Sequence, residues 1–468
     1  MDNCTINTRP SNIRRFGIVA ALLLAASSAW AQESDPSDTA ALESKAAAQV
    51  RSSVLYVETP VLLQPDAEPR LIQPFQSIKP EDDPEFDTRA ESIDQYNIAV
   101  LELESDSGAW GIGLTEQLGS LADLQQQQGD HLEAINSFGR AIHLSRINSG
   151  LYTVEQIPLL EGLIGSYAAV GDWEKTDLFH NYLFYVQQKA YGIDGPRMIS
   201  ELDRLGRWNI QAFNIGYGDP LGLRLSVAQM LFVAGARMVL KYFGKNDERY
   251  VGFLRSIANS AYLVSLNPDL AVEASQSRYR EEQERLRLSL NQRGGTRPRG
   301  FIAGKDALTE IVTYYSTAPD SIYEFAEAVI NLGDWYLMFR YRQAAAMNYQ
   351  EAWDLLSLQG NGAELIQQFF GQVRSLPTFA SESDELAARS AALNDDAQLN
   401  FDFADFAFSV TENGVVRDIR LLSEETEANR SQLLQVRRVV RDSLFRPVLK
   451  DGKRARSDNL QFRFRYWY

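Results

Sequence analysis

At 468 residues the chain is long enough for two or three domains with properly buried cores. A net charge of −16 argues against nucleic-acid binding, which needs a concentrated basic surface. The single cysteine, Cys4, excludes a disulfide framework and a multi-cysteine metal site.

The first element is a secretory signal pattern over residues 1–31. Arg9, Arg14 and Arg15 precede an apolar run at 16–29, and Ala29-Trp30-Ala31 supplies small residues at the cleavage positions. The run of about 14 residues falls short of the roughly 17–25 that span a bilayer; an uncleaved anchor is the alternative reading. Cleavage would remove Cys4, and export without cysteines fits the periplasm of a Gram-negative bacterium. Residues 32–87 are polar and then proline-rich. Pro60, Pro65, Pro69, Pro74, Pro80 and Pro84 forbid a helix there and predict an extended arm.

Residues 88–375 read as helices broken at glycine- and proline-bearing points. Gly129-Asp130 and Gly171-Asp172 lie 42 residues apart, each between two amphipathic stretches. Leu121 precedes the first pair, and Ala134, Phe138, Ala141 and Leu144 follow it. In the second unit Leu163 and Tyr167 precede the pair, with Thr176 and Leu183 at the small positions. A third unit places Phe325 and Ala326 before Gly333-Asp334-Trp335, read as another turn, and then Ala345, Tyr349, Ala352 and Leu355, with about seven extra residues between its helices. Small residues let helices approach and the aromatic fills the facing gap, so each pair buries its face by stacking on the next. This part resembles the tetratricopeptide repeat family, which implies an all-α solenoid. Residues 195–300 are helical but off this pattern, with Trp208, Leu231, Phe232, Met238 and Phe243 as core candidates.

Residues 376–397, rich in Ser, Ala, Asp and Glu, read as a linker. The remainder, 398–468, carries 13 Lys/Arg and 10 Asp/Glu, against the acidic trend of the rest. It reads as a small α+β domain in the order β-β-α-β. Phe406, Phe408 and Val410 alternate with smaller residues, as in a half-buried strand. Leu399, Phe401 and Phe403 alternate in the opposite register, which predicts a bulge near Ala404-Asp405. Asn413-Gly414 marks a hairpin. Leu433, Val436, Val440 and Leu444 recur at helical spacing, Asp451-Gly452-Lys453 marks a second turn, and 459–468 is a closing strand with Leu460, Phe462 and Phe464 on one face. With Phe445-Arg446-Pro447 after the helix, this module resembles the C-terminal domain of TonB-family energy transducers. The resemblance implies that the closing strand is an exposed edge which takes a short peptide as an added strand. Gln461, Arg463 and Arg465 become the candidate partner-binding residues; edge-protecting charge is the competing reading of the two arginines.

The three histidines, His131, His143 and His180, fall at structural positions of the helical repeats. No zinc-protease, CxxC or phosphate-loop pattern occurs, so no catalytic residue, cofactor or metal is assigned. The chain is expected to be a periplasmic protein-interaction scaffold with protein partners in the envelope, an outer-membrane receptor among them, and with no nucleic acid. Two alternatives stay open. One is an energy transducer, if residues 1–31 are retained as an anchor. The other is an envelope enzyme, if 195–300 holds a pocket with facing carboxylates.

Overall fold

The computed structural model describes residues 56–57, 60–63, 83–273, 276–290, 299–317, 322–378 and 401–468. The signal segment, the stretch 32–53, most of the proline-rich arm, and positions 379–397 of the expected linker lie outside the described residues. The described residues fall within one compact unit.

Most of that unit is a row of antiparallel helices, each packed on its chain neighbour: α1 (Phe86–Ser107), α2 (Leu114–Gln128), α3 (His131–Asn148), α4 (Gln156–Ala169), α5 (Trp173–Tyr191), α6 (Met198–Asn214), α7 (Leu221–Tyr242) and α8 (Glu248–Leu266). Two short helices, α9 (Pro268–Glu273) and α10 (Ser277–Ser289), loop out and pack back on α7. The row resumes with α11 (Phe301–Ser316) against α8, then α12 (Ile322–Met338), α13 (Arg342–Ser357) and α14 (Gly362–Phe370). The row is an all-α solenoid.

The spacing of small and aromatic residues has a steric origin. A methyl group on Gly162 in α4 would sit 2.3 Å from the Phe138 ring of α3. The ring fills the space that the absent side chain leaves, and burial of such a ring stabilises by about 1.5–3 kcal/mol. Phe232 on Gly206, Phe253 on Gly235 and Trp335 on Gly304 repeat the arrangement. It therefore continues through 195–300, where the sequence pattern had faded.

The turns follow one hydrogen-bond pattern. After α2, Gly129 N–H donates to the Gln126 carbonyl at 3.1 Å and Asp130 N–H to the Gln125 carbonyl at 2.9 Å. Gly171 and Asp172 bond the Ala168 and Tyr167 carbonyls in the same way after α4. Such a helix end needs a left-handed residue, and Gly129 and Gly171 take φ of 93° and 73°.

The third unit corrects the reading of Gly333-Asp334-Trp335 as a turn. These residues lie inside α12 and are buried. The helix continues to Met338, and the turn falls seven residues later, at Arg340 (φ 66°) and Tyr341, whose N–H groups bond the Leu337 and Tyr336 carbonyls. The extra length expected between two helices belongs to the first of them.

The C-terminal module is built on β4 (Phe401–Val410), β5 (Val416–Leu421), α15 (Arg430–Asp442) and β9 (Ser457–Trp467). Its core joins Ala404, Phe406, Phe408 and Val410 to Leu433, Val436 and Val440 of the helix and to Phe462 and Phe464 of β9. β4 pairs with β9 without interruption from Phe401 to Phe408, and the register shifts only between Phe408 and Val410. The bulge expected near 404–405 is therefore absent. Phe401 and Phe403 sit on the face opposite Phe406 and Phe408 because period-2 alternation continues unbroken, and the arginines of β9 cover them. The hairpin closes with Gly414 at φ 73°, its N–H bonded to the Thr411 carbonyl. Asp451 and Gly452, both at positive φ, join β7 (Val448–Lys450) to β8 (Lys453–Ala455), as a two-residue hairpin turn requires.

Array and module share a core. Leu449 packs with Ala326, Val329, Tyr349 and Phe370 of the array. Residues 374–378, where the expected solenoid meets the expected linker, dock onto the module: β3 (Arg374–Ser375) pairs with β6 (Phe445–Arg446), and Leu376 N–H donates to the Leu444 carbonyl at 2.9 Å.

Candidate functional site

Strand order in the main sheet is β1–β9–β4–β5, with β1 (Tyr56–Val57) and β2 (Val61–Leu62) both antiparallel to β9. The closing strand is thus not an open edge. Tyr56 pairs with Trp467, Val61 with Arg463, and Leu63 N–H donates to the Gln461 carbonyl at 2.8 Å. Val57 and Leu62 rest on the module's core. Arrival of β1 and β2 from far upstream could not be foreseen from the closing strand alone.

The three expected site residues have different fates. Gln461 is exposed. Arg463 forms a two-pronged pair with Asp405 on β4, with Nε and an Nη each 2.8 Å from a carboxylate oxygen, and the Asp405 hydrogen bond holds its guanidinium above its ordinary value. Arg465, expected on the less buried side, is 3% exposed and lies over the rings of Phe401 and Trp467 at 5.6 and 5.4 Å. Both arginines are engaged within the sheet rather than held out for a partner.

A second polar cluster lies where α5 meets α6. Glu201 is fully buried; its Oε2 accepts from Gln187 Nε2 at 2.8 Å and lies 3.3 Å from Arg204, which also reaches Glu161. Its other oxygen has no hydrogen-bond partner. Burial pushes the Glu201 carboxyl up to about 8; Arg204 opposes this and Glu161 adds to it. His180 stacks on Trp208 at 4.9 Å, and burial, helped by Arg204 and opposed by Asp177, holds it down to about 4.

The pH consequences have opposite signs. The contribution of protonated Glu201 is fully present below the unfolded value of about 4.5, and falls as pH rises until it is lost above about 8. That of neutral His180 is present above about 6.5 and lost as pH falls through about 4. Between pH 6.5 and 8 the Glu201 effect acts alone, at up to about 1.4 kcal/mol per pH unit. Urea midpoints should fall across this window in the native protein and stay nearly flat in Glu201→Gln; equal slopes in the two proteins would show that Glu201 does not titrate there.

A cleft of about 650 Å³ lies in the region considered for an enzyme site, lined by Arg197, Asp203, Arg207, Phe243, Arg249 and Phe253 among others. Asp203 is the one carboxylate on its lining, and Arg207 Nε holds it at 2.7 Å. Facing carboxylates, the feature that would have favoured hydrolysis, do not line it. Among the described residues no cluster of His, Cys, Asp and Glu is arranged to hold a metal ion.

The strongest polar constellation joins the two parts of the molecule. Asp334, fully buried in α12, takes Arg446 Nε at 2.9 Å on one oxygen and an Arg446 Nη on the other. Tyr349 hydroxyl donates to the same carboxylate at 2.7 Å and Thr378 hydroxyl at 3.2 Å. Burial works against the charge on Arg446, and the Asp334 carboxylate outweighs it, so the guanidinium stays above its ordinary value. From the sequence, Asp334 is expected in a turn and Arg446 in a module motif; the fold buries both at one seam. The available signal was an aspartate at helical spacing among Ile330, Leu337 and Trp335, where an unpaired charge would be costly.

No family model matches the chain, and no curated protein matches it. Among solved structures it is similar to BtubC (BKLC) from P. vanneervenii, at 12% identity and a TM-score of 0.36 over 58% of this chain and 90% of that one. It is also similar to a Podosopora anserina protein described by nearly identical TPR-like repeats of kinesin light chain type, at 13% identity and a TM-score of 0.33 over 54% of this chain and 95% of that one. Likeness at this level carries no argument about this chain; the solenoid rests on its own helix contacts.

Proposed function

We propose that this chain is a protein-binding scaffold of the cell envelope, exported to the periplasm, whose TonB-like module takes extended segments of partner proteins as an added strand. The observation that carries this reading is the outer edge of β9. It already holds an extended segment by main-chain hydrogen bonding, which is the geometry of strand addition. The occupant pairs through two short stretches of two residues each, β1 and β2. A partner strand with a longer run of pairs would displace it at modest cost, so β1 and β2 act as a built-in competitor.

The test places a photo-crosslinking residue at Gln461 in the full chain in its native envelope. A second form adds Val61→Pro and Leu63→Pro, which remove main-chain donors from the competing segment. The expected result is a gain of several-fold in crosslinks to extended segments of envelope proteins when the prolines are present. Crosslinks confined to the chain itself in both forms would make the edge purely structural and end the proposal.

A further inference from the structure

A different surface carries the concentrated positive charge. Where the array meets the module, a cleft of about 470 Å³ is lined by Arg340, Arg342, Arg417 and Arg441, with Asp442 as its one carboxylate. A second cleft of about 440 Å³ lies between β5 and α15, lined by Arg417, Arg437, Arg438 and Arg441, with Asp418 as its carboxylate. The two share Arg417 and Arg441, so six arginines line two adjoining clefts, taken together as one groove. Asp442 pairs with Arg441 at 3.0 Å, and Asp418 is turned to Arg456 at 2.8 Å. Among the described residues, no carboxylate pairs with Arg340, Arg342, Arg417 or Arg438.

Two of these arginines stand where local structure disfavours them. Arg340 takes the left-handed position, φ 66°, that Gly129 and Gly171 take in the earlier turns. A side chain there is disfavoured relative to glycine. Arg342 opens α13, whose first turn contains no acidic residue, although the positive end of a helix favours a carboxylate. Cost without local return is the mark of a residue kept for what it meets. Fork-shaped guanidinium groups recognise carboxylates by paired hydrogen bonds.

The floor between the arginines is apolar: Leu337, Val415, Val416, Ile419, Leu434 and Leu444. β5 is the outer strand of the sheet on this side. A lone phosphate would use neither the length nor the apolar floor. We infer that this groove binds an acidic, extended segment of a partner protein in which carboxylate and aliphatic side chains alternate. The site is distinct from the β9 edge, and its Arg340–Arg342 end is formed only when array and module are together.

Fluorescence anisotropy with the full chain tests it, using a synthetic labelled peptide of six Glu-Val repeats at physiological salt and, as controls, six Lys-Val and six Glu-Ser repeats. The Glu-Val peptide should bind, the Lys-Val peptide should not, and Glu-Ser should bind more weakly. Arg417→Glu with Arg441→Glu should weaken binding by about tenfold or more, while Lys189→Glu with Arg285→Glu, an equal charge change elsewhere, should leave it within about twofold. Arg342→Gln with Arg438→Gln gives a milder pair should the first fail to fold, and thermal melts check each variant. Absence of binding, equal weakening in both double variants, displacement by millimolar inorganic phosphate, or tighter binding to phosphatidylglycerol vesicles than to the peptide would each overturn the proposal.

Discussion

Arg446→Ala should lower stability by about 3–5 kcal/mol, because it leaves the Asp334 carboxylate buried without a counter-charge. Asp334 is fully buried and Arg446 only 3% exposed, so water cannot replace the lost partner. Asp334→Ala should cost a similar amount by stranding the guanidinium. The pair itself is not the source of net stability, since desolvation offsets most of its attraction. A double replacement, Arg446→Met with Asp334→Leu, should therefore recover most of what either single change loses. Urea unfolding followed by tryptophan fluorescence reads this directly, with Trp335 next to the pair. A loss below about 1 kcal/mol in both single variants would mean that the seam opens to water and that array and module are not locked.

Trp335→Ala should cost about 3–5 kcal/mol, whereas Trp173→Ala should cost about 1–2 kcal/mol. Both follow a Gly-Asp pair in the sequence. Trp173 opens α5 at a helix start and is only partly buried. Trp335 is fully buried in the middle of α12, its ring over Gly304 and its Nε1 donating to the Phe301 carbonyl at 3.2 Å. Truncation there leaves a cavity walled by two helices. Equal losses for the two variants, measured by the same denaturation, would return Gly333-Asp334-Trp335 to the status of a turn.

Much of the fold was legible because its signals are local. Gly129 and Gly171 mark helix ends since a left-handed residue is needed there. Gly414 and Asp451-Gly452 mark hairpins for the same reason. Phe138, Ala134 and Ala141 show which helix face is buried. The failures have equally physical causes. Gly-Asp-Trp at 333–335 has the composition of a turn, but Asp334 finds its charge partner 112 residues away, so tertiary pairing overrides the local preference. Arg340 hides a helix end because it occupies a glycine position. The change of register between Phe403 and Phe406 suggested a bulge, yet the alternation runs on unbroken, with the rings of Phe401 and Phe403 under the arginines of β9 on the less buried face.

The expected site was affected most. Period-2 alternation placed Gln461, Arg463 and Arg465 on one face of the last strand, and that alternation holds. Whether the strand's edge is open depends on where β1 and β2 go, some four hundred positions earlier, and no local pattern encodes that. By itself the sequence determined the helical repeats, the turns at Gly129 and Gly171, and the order of elements in the module, since each rests on contacts between near neighbours. Only the tertiary structure decided that the edge is occupied, that array and module are joined through Asp334 and Arg446, and that six scattered arginines line two adjoining clefts. Those features depend on chain segments brought together by packing, and their energies come from burial and charge pairing that no single segment contains.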